Sequence, residues 1–181
     1  MKIIQNIREK FAKSFLLKQV NEKNRIQRPV SVQSARTAAL LYYLSDEEIY
    51  KKVEVIISRL TELNLKVKVV CYTDQKIIPY YFIPKISQDI ITVKDINWRF
   101  QPQKPFVKEF ISTGYDILID LSLSDNLPLL YCAALSNAGL KVGRYQEDHQ
   151  LLYDLMIHAG PDETIDSFAE QVIHYLRKIN N

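Results

Sequence analysis

Hydrophobic and polar positions divide the chain into alternating short apolar runs and longer amphipathic stretches. Ala38 to Leu44 reads AALLYYL, a continuous apolar run of the kind found in strands covered on both faces. It stops at Ser45, and the SDEE that follows fits a capping box, with the Ser45 hydroxyl and the Glu48 carboxylate meeting orphan donors at a helix start. Ile49, Val53, Ile56, Leu60 and Leu63 then recur every three or four residues and mark one buried helix stripe. LKVKVVCY (65–72) predicts a second strand ending at Thr73 and Asp74. Pro79 and Pro84 interrupt the next segment, in which only QDIITV suggests a short edge strand.

The second half repeats the alternation. Pro105, Phe106, Val107, Phe110 and Ile111 predict a short helix closed by Gly114 as a left-handed cap. YDILIDLSLS (115–124) is the strongest strand signal and is expected near the middle of a sheet, with its tail from Ser122 free for chemistry. Asp125 or Asn126 can cap a following helix that carries Pro128 in its first turn and runs toward Gly139. LKVGR and LLYDLMI predict two more strands. Fewer residues separate them than the dozen or so a parallel crossover needs, so an antiparallel pairing, or separate places in the sheet, is expected. Ile165, Phe168, Val172, Leu176 and Ile179 mark a closing helix. Strands alternating with helices predict an α/β, mainly parallel, Rossmann-like sheet with helices on both faces.

Ahead of this body stands MKIIQNIREKFAKSFLLKQV, which places Ile4, Ile7, Phe11 and Phe15 at helical spacing with basic residues between them. NEKNRIQRPVSVQS then reads as a connector, so residues 1–34 form a basic amphipathic helix and linker and residues 35–181 a single α/β domain. Met1 to Arg28 holds Lys2, Arg8, Lys10, Lys13, Lys18, Lys23, Arg25 and Arg28 against Glu9 and Glu22, so the whole chain's net charge of +3 hides an acidic body. That helix either packs on the body or a second copy, or docks on an acidic surface such as anionic lipid, RNA or a protein.

Composition narrows the chemistry. The 181 residues suffice to bury roughly 70% of the unfolded surface, and 47% hydrophobic with 25% charged residues is ordinary for a globular protein. No apolar run reaches the roughly 20 residues of a membrane span, and the amino terminus lacks the apolar segment of a secretory signal, so a cytoplasmic protein is expected. Cys71 and Cys132 sit in apolar stretches and read as buried side chains. The four glycines, Gly114, Gly139, Gly143 and Gly160, fall at element boundaries and leave no cluster for a dinucleotide or phosphate loop. Ser122 lies between Leu121 and Leu123 and lacks the small neighbours of a nucleophile elbow. His149, His158 and His174 have no metal-ligand spacing, so no metal and no cofactor are expected, and a metal site would need distant loops. His174 is expected on the solvent side of the last helix.

Polar residues at strand carboxyl ends remain, on the edge where open α/β sheets bind ligands. These are Ser45 and Asp46 after the first strand, Thr73 and Asp74 after the second, and Ser122, Ser124 and Asp125 after the strong one. Helix capping alone also accounts for Ser45, Asp125 and Asn126. Asp120, inside an apolar strand, needs a hydrogen-bonding partner or a cleft to face. In NWRFQPQ (97–103), Trp98, Arg99 and Phe100 either stack on a ring or a base, or plug the sheet edge under a loop.

DIITVKDINWRFQPQKPFVKEFISTGYDILIDLS, SNAGLKVGR and YDLMI, with the basic first helix, resemble an uncharacterised family of small bacterial proteins across nearly the whole chain. DILIDL, a helix and AGLKVGR are similar, over about thirty residues, to the acceptor-side half of ADP-heptose glycosyltransferases. That likeness implies fold kinship. Those transferases hold their donor with a second α/β domain, for which no residues are left here, so transfer itself is the weaker expectation. The preferred reading is a binding domain rather than an enzyme, taking a sugar- or nucleotide-like small molecule at the strand ends. The alternatives are an adaptor that docks through residues 1–28 on an acidic surface (membrane, RNA or protein) and a glycosyltransferase-related enzyme; a homo-oligomer is a further expectation.

Overall fold

The computed structural model describes residues 2–21 and 25–179, with side chains from Gln5 onward. Six strands form one sheet: β1 (Thr37–Tyr43), β2 (Lys66–Thr73), β3 (Gln88–Thr92), β4 (Ile117–Asp120), β5 (Leu140–Arg144) and β6 (Leu155–Ile157). Five helices accompany them: α1 (Lys2–Asn21), α2 (Glu47–Glu62), α3 (Pro105–Ser112), α4 (Leu127–Leu135) and α5 (Ile165–Lys178). The strand order is β3-β2-β1-β4-β5-β6 and every neighbouring pair is parallel. This is a Rossmann-like α/β fold with β1 and β4 at its centre.

Alternation along the strands sends side chains to two cores. Leu40 and Tyr42 of β1, Val69 of β2 and Ile117 and Ile119 of β4 face α2 and α5, whereas Ala39, Leu41, Val70 and Leu118 face α3 and α4. The stripe predicted for α2 is the observed one, with Val53, Ile56 and Leu60 buried, as are Phe168, Val172 and Leu176 of α5. Asp116 locks the strands at their amino ends, its Oδ2 accepting from the Arg36 and Thr37 N–H groups at 2.8 and 2.9 Å.

Several local expectations shift. β5 and β6 pair in parallel, Val142 to Leu155 and Arg144 to Ile157. The connection achieves this without a full helix: a 3-10 turn at Glu147–His149 turns the chain, and Leu152 and Tyr153 plug into the α4 side of the core. LLYDLMI therefore yields a strand only at Leu155–Ile157. The cap of α2 is Asp46, whose Oδ1 accepts from the Ile49 N–H at 2.9 Å, while Ser45 donates to Asp46 instead of capping. α3 ends without a left-handed glycine; among the described residues positive φ occurs only at Asn64 and Phe100. α4 stops at Leu135, where Ser136 turns extended. Gly143 lies inside β5 rather than at a boundary, and a Cβ there would come within 2.6 Å of the Tyr153 ring.

α1 packs on the body, but not by the expected stripe. Ala12 and Leu16 are the buried residues, Leu16 sharing the core of α4, whereas Ile7 and Phe11 are 50% and 65% exposed. Phe15 is half-buried under the Arg99 guanidinium, and the side chain of Ile4 lies outside the described ones, as do Glu22 and Lys23. The helix is apolar on more than one side, and Leu16, with Leu17 and Val20, is the part that joins the α4 core, Ala12 being buried one turn before it. The connector is tied down too: Arg25 Nη1 donates to the Ala138 and Gly139 carbonyls, its Nη2 pairs with Asp154, and the Arg28 N–H donates to Gly139 O at 2.9 Å.

Candidate functional site: the rim at the carboxyl ends of β2 and β4

β4 ends in a carboxylate that the fold buries completely. Asp120 Oδ1 accepts from the Ser122 N–H at 2.9 Å and Oδ2 from the Tyr153 hydroxyl at 2.6 Å, so of the two outcomes expected of it the bond to the next turn occurs, and it borders a small cavity rather than an open cleft. Tyr153 reaches it because Gly143 leaves room for its ring against the sheet. Burial pushes the Asp120 carboxyl up from its ordinary range and the Tyr153 hydroxyl well above its own. Ser122 Oγ is buried alongside the Asp120 carboxylate without the geometry of a full hydrogen bond.

Around this pair lies a charged network drawn from four elements. Asp125, just before α4, accepts from Lys13 Nζ of α1 at 2.9 Å and from Arg144 Nη2 of β5 at 3.1 Å. The same ammonium reaches Asp148 at 3.0 Å. With its amide nitrogen turned toward the acceptors, Gln146 donates to Asp125 Oδ1 at 2.6 Å and to His149 Nε2 at 3.1 Å, and accepts from Arg144 Nη2 at 2.8 Å. His149, buried, stands 3.7 Å from both Asp125 and Asp148. Burial lowers its pKa, against the pull of those carboxylates. Burial also disfavours the Lys13 charge, but the bonds to Asp125 and Asp148 outweigh it and leave that ammonium raised. Asp125, Asp148 and His149 thus come from distant loops to within 4.8 Å of one another, and Lys13 already supplies the positive charge between the two carboxylates.

Of the cavities that open here, two are bordered by predicted residues. The first, lined by Asp120, Ser122, Ser124, Asp125, His149 and Tyr153 among others, measures about 10 Å³, room for roughly one water. The second is a cleft of about 210 Å³ bounded by Glu9 and Lys13 of α1, Tyr72 of β2, Phe100, and Asp125 to Pro128 at the start of α4. It lies across the carboxyl ends of β2 and β4, flanking β1, where the strand order reverses direction and open sheets take their ligands.

Of the predicted residues, Ser122, Ser124 and Asp125 come together, and Asp125 borders both cavities. Ser45, Asp46, Thr73 and Asp74 line neither. Ser45 and Asp46 are spent on the α2 cap. Thr73 is buried, its hydroxyl facing the Gln75 N–H at 3.4 Å, and Asp74 raises the Tyr43 hydroxyl further after burial has done so. Lys13, Glu9, Tyr72, Arg144, Gln146, His149 and Tyr153 escaped sequence reasoning. Only Glu9 and Lys13, spaced to share one helix face, left a signal that could have grouped them. Trp98 does not plug the sheet edge, being 60% exposed, and Phe100 is half-buried.

No helix among the described residues is long and apolar enough to cross a membrane. With this geometry in view, the class is that of a Rossmann-like α/β protein with a polar cleft at its strand ends. The chain belongs to a family of unknown function, DUF6913, which matches residues 8–179. Comparison with curated proteins returns no match. Among solved structures it is similar to E. coli heptosyltransferase WaaC with ADP-2-deoxy-2-fluoro heptose, at 18% identity and a TM-score of 0.45. That similarity covers 78% of this chain and 49% of the transferase, so the chain spans about half the length of that protein.

Proposed function

We propose that this protein binds a small hydroxylated ligand, sugar- or nucleotide-like, in the cleft between α1 and the start of α4. The observation that carries the reading is the lining of that 210 Å³ cleft: two aromatic side chains, Tyr72 and Phe100, beside the carboxylates of Glu9 and Asp125, the Lys13 ammonium and the Asn126 amide. Aromatic faces cover the apolar side of a sugar or base, carboxylates accept from hydroxyls, and an ammonium serves an anionic substituent. The predicted Ser122 and Ser124 play a supporting part in this reading, shaping the loop that carries Asp125.

Isothermal titration calorimetry and thermal unfolding with a panel of free sugars, nucleosides and nucleotide sugars test it. Saturable heat and a raised melting temperature with at least one class, both lost in Asp125→Ala or Lys13→Ala, are expected. A flat response across the panel would overturn it.

A second reading concerns the outer face of α1. Ile7 and Phe11 are exposed there beside the exposed Lys10, a composition suited to anionic lipid. Cosedimentation with vesicles containing phosphatidylserine, but not with phosphatidylcholine alone, is expected and should fail in Ile7→Ser/Phe11→Ser. Equal pelleting with both vesicle types, or with neither, rejects it.

A further inference from the structure

Resting on the cleft reading above, we infer that the ligand carries a flat ring, that it is a nucleoside, and that Phe100 is the shelf on which its base stacks. The backbone first points to Phe100. It holds φ 58°, in the left-handed region where a side chain of this size is an outlier. Such conformations persist where the surroundings over-determine them, and they gather at functional sites. The surroundings do so here. Asn97 Oδ1 accepts from the N–H groups of Arg99 and Gln101 at 2.8 and 3.1 Å, the Asn97 N–H donates to Gln101 O at 3.0 Å, and the Phe100 N–H donates to Asn97 O at 3.0 Å. Core packing does not account for the choice of phenylalanine, since the ring is only half-buried.

The ring's position supplies the chemistry. Arg8 of α1 donates to the carbonyls of Asn97 and Trp98, and that anchor lays its guanidinium over the Phe100 ring, 4.0 Å from the centroid. The ring also borders the 210 Å³ cleft. A base entering the cleft would meet this ring, whose π system already holds the Arg8 cation. Stacking on an aromatic face suits any base, because every base has a π-face. Glu9 and Lys13 of α1 border this opening together with Asp125, which is bonded to Lys13, and this sets carboxylates where ribose hydroxyls would lie.

Calorimetry with adenosine, uridine and methyl glucoside on the full chain tests this, using Phe100→Asn and Phe100→Tyr. Asparagine tolerates the left-handed backbone while removing the ring, and tyrosine keeps the ring. The nucleosides are expected to bind and methyl glucoside not to. Phe100→Asn is expected to weaken nucleoside binding about tenfold or more with an unchanged circular dichroism spectrum, and Phe100→Tyr to keep it within about twofold. Binding of methyl glucoside as tight as that of the nucleosides, or nucleoside binding indifferent to Phe100→Asn, would leave a ligand in the cleft and overturn the stack. Silence of the wild type toward all three, with a response to some other sugar, also overturns it; silence toward every compound removes the cleft reading itself.

Discussion

The Tyr153 hydroxyl donates to Asp120 Oδ2 across 2.6 Å, joining the end of β4 to the loop that brings the chain into β6. Both side chains are buried, and the hydroxyl and Asp120 Oδ2 satisfy one another while Oδ1 accepts from the Ser122 N–H. Tyr153→Phe should cost about 1–3 kcal/mol in urea unfolding, the penalty for leaving a buried carboxyl short of a donor. A loss below a few tenths would show that water takes the donor's place.

Asp120 also gives a pH dependence of definite sign. Its folded pKa lies above the unfolded value of about 3.9, because burial disfavours the anion. The folded state therefore holds the proton longer, and the associated stability is complete below about pH 3.9 and lost as pH rises through the folded value. The stability difference between wild type and Asp120→Asn, followed by urea unfolding from acid to neutral pH, should move against the wild type as pH rises. A constant difference would contradict this.

His149 acts in the opposite sense. Its folded pKa is lowered by burial, with Asp125, Asp148 and Asp120 opposing that shift and Lys13 adding to it. The neutral imidazole's contribution is present above the unfolded value of about 6.5 and lost as pH falls toward the folded one. Nuclear magnetic resonance titration should place the His149 midpoint below about 6.5, and His149→Gln should remove part of the acid sensitivity in that window.

Gly143 supports the Tyr153–Asp120 pair from below. Gly143→Ala puts a methyl group within 2.6–2.8 Å of three Tyr153 ring carbons and should destabilise by about 1–3 kcal/mol. In a double-mutant cycle with Tyr153→Leu the penalty should shrink; additive effects would show that the ring does not meet the new methyl group.

The two faces of α1 should separate cleanly. Leu16→Ala removes a side chain only 6% exposed and should cost about 2–5 kcal/mol, while Phe11→Ser on the open face should change stability by no more than about 0.5 kcal/mol. Thermal and urea unfolding of both variants check this, and equal effects would contradict the observed docking of the helix.

What the chain determined alone is local. The uninterrupted apolar run of β1, the regular stripes of α2 and α5 and the alternation of strand with helix specify a parallel sheet covered on both sides, because each element's period dictates which faces must leave water. Asp120 was legible as a buried acid in need of partners for the same reason. The tertiary structure decided which surfaces meet. α1 has apolar residues on more than one side, and only packing on the body, with Leu16 in the α4 core, selects Ala12 and Leu16 over Ile7 and Phe11. β5 and β6 run parallel with a turn at Glu147–His149 between them and Tyr153 seated against Gly143, a contact that no count of connecting residues contains. The same packing brings Lys13, Asp125, Arg144 and His149 from separate elements to one rim, while Asp46 and Thr73 are taken up by the local backbone and Asp74 stands beside Tyr43. Periodicity is set by neighbours in sequence, whereas a site is set by neighbours in space.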